Sequence, residues 1–243
     1  MIWEVVQAER GQDMTRRGLV LFCAGALAFC AGVRAGTVTN LNVGDTVNFA
    51  DYVDGSGNSI YIADKLFGEF NFIAGGNTNV FGAMSISLTA ITNSFGYGIK
   101  ISAPFHTSDT QLKDFISDYS VTVSNAPGFL ISDLHLDYNG FVVGSGFSSV
   151  TETVFDYQGI GVNQIDQGQV FEPPSMMMQT NLYLTTPQMK LYIEKDIELG
   201  GDVTGDQATI SAINQVFSQI PEPSSMMLVV SGLAGLCLLR RRS

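Results

Sequence analysis

The chain has 243 residues, of which 14% are charged, and its formal net charge is −11. The segment 36–220 contains no arginine and holds five lysines against nineteen acidic residues, a formal charge of −14. Because phosphate recognition needs cationic side chains, this balance excludes a body that binds nucleic acid and argues against binding to anionic lipid. It favours a protein that stays soluble outside the cell.

The first predicted element is an export signal that starts inside the chain. Residues 1–13 carry mixed charge and do not fit the start of such a signal, so we expect them to be an extension upstream of the true start at Met14. From Met14 a basic pair is followed by the apolar run Leu19–Ala31, and small residues precede a cut after Ala35. Residues 14–35 are therefore predicted to be a helical signal peptide.

Two further interpretations of this start remain. Thr15–Leu19 contains an arginine pair that also fits a twin-arginine signal, although that route usually carries cofactor proteins. A lipoprotein signal ending at Cys30 is disfavoured, because Phe29 stands where a small residue is needed. The other two cysteines, Cys23 and Cys237, also lie outside the body, so no disulfide can stabilise it.

The body, residues 36–219, has the length of one domain and the pattern of an all-β fold. Apolar and polar residues alternate along many short segments separated by Gly- and Asn-rich turns. The clearest segment is Gln188–Leu199, which places Leu191, Ile193, Ile197 and Leu199 opposite Tyr192, Glu194, Asp196 and Glu198. About ten to twelve strands of this kind predict a jelly-roll-like β-sandwich, with a closed barrel as the alternative.

Three segments of the body need a separate interpretation. Ser108–Phe115 fits one helical turn, with Ser108 as its cap. Thr209–Phe217 fits either a helix or a strand, and the surrounding β pattern favours a last strand. Phe171–Gln179 contains two prolines and is predicted to be a surface loop.

The first candidate metal site lies on one predicted strand. Asp133, His135 and Asp137 stand at every second position, so they share the face opposite Leu134 and Leu136. Strand geometry separates Asp133 from Asp137 by roughly 13 Å, so one ion could be shared only by His135 and one neighbour. A solvated strand face is the favoured interpretation, and a metal site is the alternative.

The second candidate site is an oxygen-rich loop. Asp51, Asp54, Ser56 and Asn58 supply the ligands that calcium prefers, but Ser59 stands where an EF-hand loop needs glycine. Asp202–Asp206 is a similar segment without a calcium motif. We expect plain turns at both places and no cofactor, with calcium as the alternative.

Catalytic machinery is not indicated by the sequence. The histidines are His106 and His135, no G-x-S-x-G motif is present, and the body has no cysteine. Nineteen acidic residues offer many carboxylate pairs, and nothing singles out one pair for glycoside cleavage. We therefore expect a protein that is not an enzyme.

The tail, residues 220–243, has three parts in a fixed order. Pro221-Glu222-Pro223-Ser224 is stiff and polar, and we expect it to end any strand or helix. Met226–Leu239 follows with fourteen uncharged residues, which span roughly 21 Å as a helix, against about 30 Å for a hydrocarbon core. Arg240, Arg241 and Arg242 then predict a membrane helix with its basic end in the cytoplasm.

This tail resembles the PEP-CTERM sorting signal of Gram-negative bacteria. The resemblance rests on Pro221-Glu222-Pro223, the apolar run and the arginine cluster, about 24 of 243 residues. It implies recognition by exosortase, a membrane protease-transpeptidase, with a cut near Pro221-Glu222-Pro223. It also implies a bacterium that makes extracellular polysaccharide.

These observations predict an exported surface or matrix protein. Its precursor is expected in the inner membrane, and the processed protein in the envelope or outside the cell. The body is expected to be structural or to associate with exopolysaccharide. The alternatives are a secreted polysaccharide hydrolase and a calcium-stabilised adhesin. A glycan-binding body should expose aromatic side chains, and the candidates, most of which we expect in the core, are Tyr52, Tyr61, Tyr97, Tyr138 and Phe141.

Overall fold

A computed structural model describes residues 36–53, 55–76, 85–172, 177–222 and 231. The predicted extension and signal peptide lie outside the described residues, as do Asp54, Pro223, Ser224, the apolar run and the arginine cluster. Within the described ranges, no helix is long and apolar enough to cross a membrane.

The described body consists of β-strands and one short 3-10 helix, η1 (Phe49–Asp51). Asn48 caps η1, because its side chain accepts the backbone N–H of Ala50 at 2.9 Å. The strands are β1 (Val38–Asn40), β2 (Thr46–Asn48), β3 (Ser59–Ile62), β4 (Lys65–Gly76), β5 (Ser87–Asn93), β6 (Gly96–Ser108), β7 (Leu112–Val123), β8 (Phe129–Val143), β9 (Phe147–Phe155), β10 (Gln164–Glu172), β11 (Gln179–Gln188), β12 (Lys190–Gly200) and β13 (Gln207–Pro221).

The strands form two sheets. Sheet A has the order β1-β3-β4-β7-β12-β9-β10, and sheet B has the order β11-β8-β13-β6-β5-β2. From β6 to β13, consecutive strands lie in opposite sheets except for β9 and β10, which pair with each other in sheet A, and the neighbour orders are β6-β13-β8-β11 and β7-β12-β9-β10. This is the arrangement of an eight-stranded jelly roll, with β1 to β5 extending the sheets. The prediction of an all-β, jelly-roll-like sandwich is confirmed.

Alternation along the strands builds the core between the sheets. On β12, Leu191, Ile193, Ile197 and Leu199 are completely buried, while the residues between them on the opposite face are half-buried. Aromatic residues from both sheets fill the centre, as in the contact of Phe67 on β4 with Phe217 on β13, whose ring centroids are 5.8 Å apart. Each such side chain stabilises the fold by about 1.5–3 kcal/mol through burial.

Two local predictions have opposite outcomes. Thr209–Phe217 lies in β13, so the choice of a last strand is confirmed. The helical turn at Ser108–Phe115 is wrong, because β6 runs to Ser108 and β7 begins at Leu112. Phe115 is completely buried and pairs with both Ala74 and Ile197, so sheet pairing on two sides overrides the local capping pattern.

The sheet also reaches further into the tail than expected. Pro221 is the last residue of β13 and pairs with Phe129, so the strand includes the first residue of the Pro-Glu-Pro-Ser segment and ends there. The pairing of β13 with β6 extends only to Phe217. A proline, which has no N–H, is tolerated beyond that point because β13 is then paired on one side only. The N–H of Glu222 then donates to the carbonyl of Gly128 at 2.6 Å. The sorting motif therefore starts inside the folded body.

Candidate functional site

A connected group of polar side chains on the outer face of sheet B surrounds His135 on β8. Its Nδ1 lies 2.7 Å from Oδ1 of Asn181 on β11, and its Nε2 lies 2.9 Å from Oγ of Ser218 on β13. Nε2 is also 2.6 Å from Oδ1 of Asp133, and the ring of Phe95 stacks on the imidazole with centroids 3.7 Å apart. We call Phe95, Asp133, His135, Asn181 and Ser218 the His135 cluster.

Strand alternation and register explain how the cluster assembles. Leu134 and Leu136 face the core, so Asp133 and His135 point outward. In the register, His135 stands opposite Asn181 on one side and Val216 on the other. Phe95 comes from the turn between β5 and β6, which folds over this end of sheet B. Three strands and one turn thus bury all but 8% of His135.

The predicted metal triplet is only partly brought together. Asp133 contacts His135, whereas Asp137 instead accepts a hydrogen bond from Nδ2 of Asn214 at 2.6 Å. In the ranges that the structure describes, no group of three or more His, Cys, Asp or Glu residues is arranged to hold a metal ion. A metal at Asp133 and His135 stays an untested prediction.

The connectivity Ser218–His135–Asn181 is that of a nucleophile, a base and an orienting group. Two features oppose this chemistry. The carboxylate of Asp133 lies at the same Nε2 that would have to take the proton of Ser218, and Phe95 covers the ring. The arrangement is suited to clamping β8, β11 and β13 together just before the tail.

Exposed aromatic residues lie beside this clamp. Tyr183 on β11 is 69% exposed and stands directly opposite Asp133, while Phe95 is 51% exposed. On one sheet face, diagonal neighbours such as His135 and Tyr183 are roughly 7–8 Å apart. Phe95 and Tyr183 therefore present two rings at the same end of sheet B, with exposed Asn181 beside them. We call this surface the aromatic platform.

The aromatic candidates from the sequence have different positions. Tyr52 and Tyr138 are in the core, as expected for most of the set, and Tyr61 and Tyr97 are half-buried. Phe141 is 60% exposed, but it lies at the other end of β8. The sequence analysis missed Phe95 and Tyr183. Their signals were an aromatic residue inside a polar turn and a tyrosine on the polar side between Leu182 and Leu184.

The outer face of sheet A carries a row of carboxylates. Asp118 and Glu194 face each other across β7 and β12, as do Asp114 and Glu198, with Asp196 between the two pairs. Burial and then the charge of Asp114 raise the pKa of Asp196 to about 6. Burial also raises the pKa of Asp118 and, together with the charge of Asp118, that of Glu194. These side chains therefore repel one another when ionised.

A shallow depression lies beside this row. Its volume is about 330 Å³, and its lining residues come from β9, β10 and β12. Glu172 and Glu198 both contribute to the lining, with Phe147, Phe171 and Gln169. It is a concave surface that combines carboxylates with aromatic rings.

The two loops expected to be plain turns, with calcium as the alternative, differ in their described parts. The carbonyl of Asp51 accepts Nδ2 of Asn58 at 2.7 Å, and nothing is described of Asp54. In the second loop, the carboxylate of Asp206 accepts the backbone N–H groups of Asp202, Val203 and Ser145 at 2.9–3.0 Å. These bonds and one from Ser145 Oγ hold its pKa low, at about 2. The carboxylate thus joins two turns of the protein itself.

Comparison with known structures gives weak likenesses. The enzymatically active domain of a tailspike protein of bacteriophage CBA120 has a TM-score of 0.29 and 11% identity over 62% of this chain and 19% of that one. A carbohydrate-binding module described as TmCBM61, in complex with β-1,4-galactotriose, has a TM-score of 0.27 and 11% identity. The match covers 62% of this chain and 88% of the module. The chain thus spans about a fifth of the tailspike chain.

A family 11 carbohydrate-binding module from Clostridium thermocellum has a TM-score of 0.24 and 10% identity, over 61% of this chain and 89% of that one. Likenesses at this level carry no argument about function. No curated protein matches the sequence.

The tail gives a definite result. The family described as PEP-CTERM protein-sorting motif matches residues 219–242. The match begins at Gln219 and so overlaps the last residues of β13. The resemblance stated from the sequence is confirmed for the tail, and a PEP-CTERM motif indicates a protein that is exported and sorted to the cell envelope or beyond it.

Proposed function

We propose that this protein is a non-catalytic surface or matrix protein that associates with neutral exopolysaccharide through the aromatic platform of sheet B. The supporting observation is the pair of exposed rings, Phe95 and Tyr183, held beside a buried polar clamp. A sugar ring has apolar C–H faces and polar hydroxyl edges. Flat aromatic groups next to amide and carboxylate oxygens complement both.

The charge of the body narrows the ligand class. With a formal charge of −14 over residues 36–220, the body repels polyanions at low ionic strength. The proposed ligand is therefore a glycan without uronic acid or sulfate groups. The rigid clamp contributes because a pre-organised platform loses little conformational entropy on binding.

The experiment compares aromatic substitutions at the two ends of sheet B. Binding of the full-length chain to purified neutral exopolysaccharide is measured by affinity electrophoresis. Tyr183→Ala and Phe95→Ala should each weaken binding about tenfold, as the loss of a central aromatic contact does. Phe141→Ala is the matched control, because it removes a ring at the other end of β8 whose exposure, 60%, lies between those of Phe95 and Tyr183. Equal weakening by all three substitutions, or no binding by the parent, would refute the proposal.

For sorting, we propose that the precursor is held in the inner membrane by Met226–Leu239, with Arg240–Arg242 in the cytoplasm. Exosortase then cuts near Pro221-Glu222-Pro223. Replacing these three residues with alanine should leave uncut protein in the inner-membrane fraction. Recovery of the variant at the mature mass outside the cell would contradict this assignment.

A secreted polysaccharide hydrolase is the second candidate function, and one observation favours it. Glu172 and Glu198 line the same depression, as the paired carboxyls of a glycosidase must. Release of reducing ends from the exopolysaccharide, abolished by Glu198→Gln, would support it. Unchanged release in that variant would dismiss this pair.

The calcium-stabilised adhesin also remains a prediction. The test is thermal unfolding with and without a calcium chelator. A fall in Tm with chelator supports calcium, and an unchanged Tm opposes it.

A further inference from the structure

Three polar side chains meet in the middle of the sandwich. Lys195 on β12, Glu152 on β9 and Gln215 on β13 are each 0% exposed. Nζ of Lys195 donates to Oε2 of Glu152 and, at 2.6 Å, to Oε1 of Gln215. The three residues thus connect sheet A, which holds β9 and β12, with sheet B, which holds β13. We call them the interior triad.

Apolar residues surround the triad on every strand. Lys195 lies between Ile193 and Ile197, Glu152 between Val150 and Val154, and Gln215 between Ile213 and Phe217, all of them 0% exposed. An ion pair in such a place usually costs more in desolvation than its Coulomb attraction returns. The presence of this buried ion pair therefore needs a reason other than a contribution to the stability of the fold.

The hydrogen bonding of the triad is incomplete. Oε1 of Glu152 and Nε2 of Gln215 are buried without a hydrogen-bond partner among the described residues. Ser117, which pairs with Lys195 across β7 and β12, also has its buried Oγ without a partner. Unpaired buried polar atoms are rare in folded proteins, and a catalytic role is one of the reasons for which they are retained.

The geometry points to a covalent reaction, and we propose that Lys195 and Gln215 form an intramolecular isopeptide bond with Glu152 as the proton carrier. Because Nζ is 2.6 Å from Oε1, the carbon Cδ of Gln215 is at most about 3.8 Å from Nζ. That is close to the approach distance of reacting atoms. Burial lowers the pKa of Lys195, which favours the neutral amine that can attack.

The reaction balances without an added reagent. Glu152 takes a proton from the Lys195 ammonium, and the free amine attacks Cδ of Gln215, whose carbonyl electrons move to Oε1. Glu152 passes the proton to Nε2, the Cδ–Nε2 bond breaks, and the carbonyl re-forms. The departing nitrogen leaves as ammonium after taking the second proton that Nζ loses, and Glu152 returns to the carboxylate. No atom is oxidised or reduced.

The bond would join β12 to β13 across the core. The body has no cysteine, so no disulfide can provide a covalent link between the sheets. Gln215 stands six residues before Pro221, on the strand that leads into the sorting motif. While the tail holds the protein in a membrane, a pulling force on the body would act through β13. A cross-link at Gln215 would hold β13 in the sandwich against that force.

Peptide mapping of the purified full-length chain tests the proposal. Trypsin should fail to cut after Lys195 in the denatured protein but should cut completely after Lys65, Lys113 and Lys190, which serve as internal controls. Further digestion after Glu194 and Glu198 should give a branched species, residues 195–198 joined to the peptide that starts at Leu199. Its mass should be lower than the sum of both peptides by one ammonia molecule. Separate linear peptides at full mass would overturn the proposal.

Variants identify the role of each group. Glu152→Gln keeps the side-chain shape but removes the proton carrier, so the branched peptide should be lost. Its Tm should be roughly 10 °C lower, because a link closing a loop of about 20 residues is removed. Lys65→Met is the matched control, since Lys65 is 1% exposed and bonds only Asp64 among the described residues. It should keep the branched peptide. If Glu152→Gln does not fold, the map of the parent still decides.

Discussion

The outer faces of the two sheets use acidic residues in different ways. On sheet B, Asp133 contacts His135 and Asp137 accepts the amide of Asn214, so each carboxylate has a partner. On sheet A, carboxylates face carboxylates across β7 and β12, and Asp196 is left among them. The comparison teaches that the neighbours of a surface acid, on its own strand as for Asp133 or on the adjacent strand as for Asp137, decide whether it stabilises the sheet or weakens it.

The difference has a functional counterpart. On sheet B, the paired Asp133 lies beside both rings of the proposed platform, because Phe95 stacks on its partner His135 and Tyr183 stands directly opposite it. Sheet A keeps a negatively charged face, so we expect the stability of the folded protein to depend on pH and on salt concentration. Three predictions test this comparison, in order of decreasing effect.

The largest effect is expected from removing the clamp of sheet B. His135→Ala leaves Asp133, Asn181 and Ser218 without the ring that joins them, and it removes the stacking surface of Phe95. The free energy of unfolding should fall by about 3 kcal/mol. Urea unfolding measures it. His106→Ala is the control, because His106 is exposed, and it should change the value by less than about 0.5 kcal/mol. If His135→Ala and His106→Ala lowered the free energy of unfolding by the same amount, the clamp would not contribute to stability.

A smaller effect of opposite sign is expected on sheet A. The pKa of Asp196 is about 6 in the folded protein, above its ordinary value, so the folded state loses stability as pH rises from about 4 to 6. Asp196→Asn should therefore raise stability at pH 7 by about 1 kcal/mol, a value reduced for solvent screening. At pH 4 the gain should vanish. Thermal unfolding at both pH values measures it, and a gain independent of pH would contradict the repulsion.

The smallest effect is the response to salt. Raising sodium chloride from low concentration to 0.5 M should screen the row on sheet A and raise Tm by about 1–2 °C at pH 7. Asp196→Asn should show about half of this increase. Glu69 provides a control of opposite sign, because it is paired with Lys190 at 2.9 Å on the same sheet and salt therefore screens an attraction there. Glu69→Gln should leave the salt response unchanged or larger.

The sequence indicated parts of the candidate sites without completing them. Alternation placed His135 and Asp133 on one outward face, but the contact of His135 with Ser218 spans 83 residues and depends on the register of β8 with β13. The interior triad also left a signal, because Lys195 stands on the apolar side of β12 between Ile193 and Ile197. The helical turn at Ser108–Phe115 was predicted wrongly because capping is local, whereas β7 is held by strands on both sides.

The sequence by itself determined the all-β class, the lack of disulfides in the body and the sorting motif at the tail. Each of these follows from composition or from a pattern of neighbouring residues, which the chain carries before it folds. Only the tertiary structure decided which strands pair, that Phe95 covers His135, and that Lys195 meets Glu152 and Gln215. These contacts join residues far apart in the chain, and their register is set by the packing of two complete sheets.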